Sequence, residues 1–114
     1  MKLFVHDNEI YIPKDINRES QIITIKAIDC IVTKSHYAIF FFDSYVVTVR
    51  MLLGEIEEEL HDLDFFRIRR EKLINLARLD RIISYEKREI LMKNGDKFIV
   101  SKRNFAEFKR RLIS

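Results

Sequence analysis

Four cations crowd one stretch of six residues: Arg67, Arg69, Arg70 and Lys72. A second set, Lys102-Arg103-Asn104, stands at the start of the chain's last amphipathic run. Guanidinium and ammonium groups so placed are donors for carboxylate or phosphate oxygens. Alternation along an extended strand puts Arg67 and Arg69 on one side, Arg70 and Lys72 on the other. A flat strand therefore cannot aim all four at one ligand, whereas a loop or bend beginning near Arg69 turns Arg69, Arg70 and Lys72 together. At the second set, a helix N-terminus would offer free N–H groups and a partial positive charge, which suits a phosphate. It is a poor place for Lys and Arg unless an anion offsets them. Arg103 is long enough to reach a base edge from there, and Arg to guanine is the commonest specific contact.

The wider charge pattern agrees. Residues 1–64 carry six basic and twelve acidic side chains, and residues 65–114 carry fifteen and six. The net charge of +3 thus hides a half at −6 and a half at +9. So basic a half presents a positive face to nucleic acid, an acidic protein or an anionic lipid surface. Other chemistries find little support. His6, His36 and His61 lack metal-ligand spacing, and Cys30 has no second cysteine to pair with. No metal or cofactor is expected. Cys30, in IDCIV, reads as a small buried hydrophobe, and His36 taken alone as a surface residue at a strand start. There is no glycine-rich phosphate loop. No nucleophile–base pair or ligand set can be named, so an enzyme is the least favoured reading.

The elements that must position these residues are short. The 114 residues suit one domain. The longest apolar run, Tyr37 to Phe42, is far below the ~20 residues of a membrane span, and MKLFVHDNEI is not a signal peptide. A compact cytoplasmic protein is expected. Strand candidates are Lys2 to Val5, Glu9 to Ile12, Gln21 to Ile25, Ile28 to Val32, Tyr37 to Phe42 and Tyr45 to Val49. The last two flank Asp43-Ser44 as a hairpin, apolar on both faces, that needs cover on both sides. Leu52, Leu53, Ile56 and Leu60 fall at helical spacing, with Glu55, Glu57, Glu58 and Glu59 as a solvated face, and Gly54 weakens that helix. Phe65 to Ile68, Lys72 to Ile74, Leu79 to Tyr85 and Glu89 to Met92 continue the strands. Asn94-Gly95 predicts a type I′ turn with Lys93 facing Asp96. A final helix carries Phe105, Phe108, Leu112 and Ile113 as its apolar stripe and Lys109, Arg110 and Arg111 as its basic side, with Ser101 or Asn104 as N-cap. Many short strands and two small helices predict a mainly-β domain.

Three segments resemble a known family in order and at its separations. FRIRREKLINL, from Phe66 to Leu76, is similar to the central signature of the LytTR domain, roughly F-x-R-x-H-R-S-x-L-V-N. MKNGDKFIVSKRNFAEF, from Met92 to Phe108, resembles its second signature, a KNG hairpin followed by V-S-R-R and a terminal helix. Ala27-Ile28-Asp29 through Lys34-Ser35-His36-Tyr37 resembles the earlier stretch ending in SHY. The resemblance covers residues 21–113, leaving residues 1–20 as N-terminal strands or extension and 21–114 as the DNA-binding domain.

The resemblance implies an elongated arrangement of short antiparallel strands in small sheets, with one or two short helices. The family is the DNA-binding domain of many bacterial response regulators. Its loops enter successive major grooves on one face of a bent duplex. By position the loops fall at Lys34-Ser35-His36, Arg69-Arg70-Glu71-Lys72 and Ser101-Lys102-Arg103-Asn104. That assigns His36, Arg70 and Arg103 to base reading, and Lys34, Ser35, Arg69, Lys72, Lys102 and Asn104 to the backbone. Asn75 matches a family Asn expected to be structural. The family's usual His is Arg69 here and its usual Ser is Glu71. Glu71 pairs with Arg69 or Lys72, or accepts from cytosine N4. The partner implied is double-stranded DNA bearing paired direct repeats, with two copies per site. Receiver residues are not part of the resemblance, so an output domain or a stand-alone regulator is expected. A receiver domain or a membrane-bound inhibitor is the regulatory partner in the two cases.

Two other classes find some support in the sequence. The acidic helix at Glu55 to Glu59 and the apolar hairpin Tyr37 to Val49 suit a protein-interaction module that binds a regulatory partner. RNA binding is weaker, since the aromatics sit in apolar runs rather than beside basic residues as stacking platforms.

Overall fold

The computed structural model describes residues 3–13, 20–42 and 44–113. Lys2 and Asp43, which the sequence places in the first strand and in a hairpin turn, lie outside the described residues. β1 (Phe4–His6), β2 (Glu9–Ile12) and β3 (Gln21–Thr24) form an antiparallel sheet in that order. A 3-10 turn, Ile25–Ala27, leads to β4 (Cys30–Lys34), β5 (Tyr37–Phe41) and β6 (Val46–Val49). Helix α1 (Leu53–Glu59) follows, then β7 (Phe65–Arg69) and β8 (Lys72–Asn75). β8 runs antiparallel beside β4, so the central sheet has the order β6-β5-β4-β8-β7. A second 3-10 turn, Leu76–Arg78, precedes β9 (Leu79–Ser84), β10 (Glu89–Met92) and β11 (Lys97–Ile99), the third sheet, and α2 (Phe105–Ile113) closes the chain. The molecule measures 43 × 25 × 23 Å, the elongated mainly-β arrangement expected.

The central sheet is covered on both faces because its strands alternate between two cores. In β7, Phe65 joins one core while Phe66 and Ile68 join the other, and in β8 Leu73 parts from Ile74 the same way. The first core packs Ile10, Ile12 and Ile23 of the N-terminal sheet with Ile31, Phe40, Leu73 and Leu53 and Ile56 of α1. The second gathers Phe66, Ile68, Ile74, Ile90 and Met92 with Phe105 and Phe108 of α2. Each fully buried Ile or Phe contributes about 1.5–3 kcal/mol. The two-sided cover predicted for the apolar hairpin holds for β5, where Phe40 joins the first core and Phe41 packs on the second. It fails for β6, where Val47 and Val49 are buried but Val46, and Tyr45 just before the strand, are 52 % and 55 % exposed. The second core is built on β4, β7 and β8, and β6 is the far edge of the sheet.

Three local readings need correction. Met92 N–H bonds the Asp96 carbonyl at 2.8 Å, so the loop holds three residues, 93–95, not two. Within it only Gly95 takes a positive φ, +94°, so the turn is not type I′. Asn94 Oδ1 accepts the Asp96 N–H at 2.8 Å and Asn94 Nδ2 donates to the Asp96 carboxylate at 3.1 Å, which takes the place of the Lys93–Asp96 pair. Leu52 is 57 % exposed rather than on the apolar stripe, because it precedes α1 and its N–H donates to Glu55 Oε1 at 3.0 Å. In α2, Phe105 and Phe108 are buried, but Leu112 and Ile113 are 39 % and 86 % exposed. The helix runs past the edge of the core it caps.

Candidate nucleic-acid interface

The first loop is a hairpin. Lys34 and Tyr37 pair as the last residues of β4 and the first of β5, leaving Ser35 and His36 as a two-residue turn. Ser35 takes φ +59°, a left-handed conformation that a side chain disfavours. Lys34, Ser35 and His36 are all exposed. Arg50, which follows β6, lines a shallow cleft with His36, Met51, Leu52 and Glu55. It is an isolated cation in the acidic half, and nothing in the sequence marked it.

The second loop is a bulge followed by a tight turn. Arg67 opposes Leu73 and Arg69 opposes Lys72, so β7 carries one residue more than β8 across this interval. The bend predicted near Arg69 is thus present, and the cations around it have different partners. Arg67 turns inward: its Nε and Nη2 donate to the Arg70 carbonyl at 3.1 and 2.6 Å, and Nη1 donates to Glu57 Oε1 of α1 at 3.1 Å. Arg69 pairs with Glu71 at 3.1 Å, which selects one of the partners open to Glu71. Lys72 Nζ sits 3.7 Å above the Phe98 ring, a cation–π contact that ties this loop to the third sheet. Arg70 is exposed and makes no side-chain hydrogen bond or ion pair among the described residues.

The third loop is held by its backbone. Ser101 N–H donates to the Ile68 carbonyl at 2.8 Å, inside the β7 bulge. Val100, fully buried, donates to the Arg88 carbonyl, and Arg88 Nε donates back to the Val100 carbonyl at 3.0 Å. Arg88 is therefore a positioning side chain that sequence reasoning missed. Asn104 N–H donates to the Ser101 carbonyl and Oγ at 3.1 and 3.3 Å, and the Asn104 carbonyl accepts the first helical bond, from Phe108. Asn104 is the N-cap by backbone position, and Ser101 closes the turn that leads into it. Lys102 and Arg103 consequently lie in the turn outside α2, where they oppose the helix dipole less than the sequence suggested. Both are exposed, without side-chain partners among the described residues, while Asn104 is half-buried.

All three loops stand at one end of the central sheet. Val32 pairs with Lys72, and Thr33 N–H donates to the Glu71 carbonyl at 3.0 Å, so the first loop adjoins the second. The Ser101–Ile68 bond brings the third loop to the same end of β7. Lys34, Arg69, Arg70, Lys72, Lys102 and Arg103 share this end with a single acid of the loops, Glu71. Behind the loops Asn75 is 2 % exposed. Its Nδ2 donates to the Ile25 and Ile28 carbonyls at 3.2 and 2.9 Å, and its Oδ1 accepts from Ala77, which is the structural role expected of it. Cys30 is buried, and burial pushes its thiol up to about 11, which disfavours the thiolate. Among the described residues no cluster of His, Cys, Asp and Glu is arranged to hold a metal, and no helix is long and apolar enough to cross a membrane.

A family model described as the LytTr DNA-binding domain matches residues 18–113. Among curated proteins none matches the sequence. A solved structure, the LytTr DNA-binding domain of a putative methyl-accepting/DNA response regulator from Bacillus cereus, superposes with a TM-score of 0.74. That likeness covers 94 % of this chain and 98 % of that one at 16 % identity, and so speaks to the fold alone.

Proposed function

Because the chain belongs to the LytTr DNA-binding domain family, we propose that it is a sequence-specific transcription regulator that reads double-stranded DNA through its three loops. The observation that carries this reading is the convergence of those loops, with six cations, at one end of the central sheet. His36, Arg70 and Arg103 read bases in the major groove. Lys34, Ser35, Arg69, Lys72, Lys102 and Asn104 contact the backbone, and Arg50, beside His36, joins them. In this reading the loops, not α1 or α2, are the reading elements; both helices bury their apolar faces in the cores. Loops spread over one side of a straight duplex engage successive grooves only if the duplex curves toward them, which is the basis for DNA bending here. Two copies occupy paired direct repeats in the cytoplasm, under the control of a receiver domain or a membrane-bound inhibitor.

The test is selection of bound duplexes from a random pool at about 150 mM salt, where non-specific binding is weak. Two repeats spaced by about one helical turn are the expected outcome. No enrichment by the folded protein would overturn the reading and favour the acidic helix and the exposed Tyr45–Val46 edge as a protein-binding surface.

A further inference from the structure

Arg67 opens the basic stretch, yet the DNA-reading assignment leaves it without a role. Its side chain is only 31 % exposed. Three of a guanidinium's five N–H donors are committed, two to the Arg70 carbonyl and one to Glu57 Oε1. The place where they land matters. The β7–β8 ladder ends with Arg69 opposite Lys72, so the Arg70 carbonyl lies beyond the strand ladder. Ile68, within the bulge, is fully buried and fixes the strand from one face, while Arg67 grips the turn from the face of α1.

We infer that Arg67 is a positioning residue: it clamps the backbone at Arg70, and Glu57 holds the clamp. The bidentate grip fixes the carbonyl, and with it the direction in which the Arg70 side chain leaves the turn. The acidic helix α1 thereby sets the aim of the second loop without touching DNA. This inference rests on the DNA-reading function proposed above. An arginine that contacts phosphate and one that orients a neighbour differ in what they control. The first sets the salt dependence for every sequence, the second sets preference at one base pair.

Four chains are compared: the wild type, Arg67→Gln, Glu57→Ala, which keeps Arg67 in place, and Arg103→Ala as a reference. Binding to the selected duplex and its single-base-pair variants is followed across a salt series. Amide exchange at Thr33, whose N–H is held by the Glu71 carbonyl, reports the loop without DNA. Arg67→Gln and Glu57→Ala are expected to flatten the preference at the base pair read by Arg70, to leave that read by Arg103 intact and to keep the salt slope. Thr33 exchange rises roughly tenfold as the turn loosens. A slope smaller by about 0.9 with preference intact would make Arg67 a phosphate contact. Unchanged Thr33 exchange in both variants would overturn the clamp even if no duplex were bound. A wild type that binds no duplex while Thr33 responds as expected would sink the DNA reading but leave the clamp standing.

Discussion

The second and third loops both present dense positive charge in sequence, and the structure treats them in opposite ways. Between Arg67 and Lys72, three of four cations are already engaged: Arg67 by the Arg70 carbonyl and Glu57, Arg69 by Glu71, Lys72 by the Phe98 ring. Only Arg70 has no such partner among the described residues. At Lys102 and Arg103 neither cation has a side-chain partner among the described residues, and apart from Arg88, which holds the Val100 carbonyl from outside it, the loop is fixed by neutral means. These are the Ser101–Ile68 and Asn104–Ser101 hydrogen bonds and the buried side chains of Val100, Phe105 and Phe108. A run of cations in sequence therefore does not measure the charge offered to a ligand. What counts is whether something other than the cations holds the backbone.

The contrast is broken most severely by removing the neutral footing. Phe108 is fully buried, with its ring 5.4 Å from that of Phe66. Phe108→Ala is expected to cost about 3–5 kcal/mol in urea unfolding. A loss below about 1 kcal/mol would mean that the third loop does not rest on this core. Next in size, Arg103→Ala should lose about 1–3 kcal/mol of discrimination at one base pair and leave unfolding unchanged. Loss spread evenly over all sequences would instead make Arg103 a backbone contact. Smaller again, Lys72→Ala should weaken every duplex alike and also lower stability by about 0.5–1 kcal/mol, because it removes the contact with Phe98. Arg50→Ala should show the first effect without the second. Salt-dependent anisotropy together with thermal melting separates the two.

How much of this was legible in sequence follows the same divide. Strands and helices set by apolar alternation came through, since periodicity records burial directly. The two-sided cover of the Tyr37–Phe42 strand was legible as an apolar run on both faces. Asn75 was marked only by resemblance, because its reach to the Ile25 and Ile28 carbonyls spans about fifty residues of chain. Long-range partnerships were illegible for the same reason. Nothing local says that Arg67 will find Glu57 on a helix, or that Arg88 will hold the Val100 carbonyl. The Asn94-Gly95 turn failed differently: the asparagine side chain captured the Asp96 N–H, and a pair suited to one loop length closed another. The sequence also placed Lys102 and Arg103 at the start of α2, whereas they belong to the three-residue turn, 102–104, just before it.

The finest test of the contrast is Glu71, the one acid among the loops. In the free protein it pairs with Arg69 at 3.1 Å, with both side chains nearly half exposed, so the pair contributes at most about 1 kcal/mol. Glu71→Gln should accordingly shift unfolding by less than about 0.5 kcal/mol. On DNA its consequence should be larger than on stability. Removing the carboxylate takes a negative charge away from the phosphates and lets Arg69 make its backbone contact without giving up or sharing the Glu71 pair. Affinity should then rise a few-fold at low salt for every sequence, with the salt slope steeper by no more than about 0.9, the value of one phosphate contact made in full. That outcome would move the second loop toward the third, with its cations unclaimed. The opposite result, weaker binding confined to duplexes with cytosine at one position, would show the carboxylate accepting from cytosine N4. Glu71 would then be a reader itself, and the Arg69 pair only its resting partner.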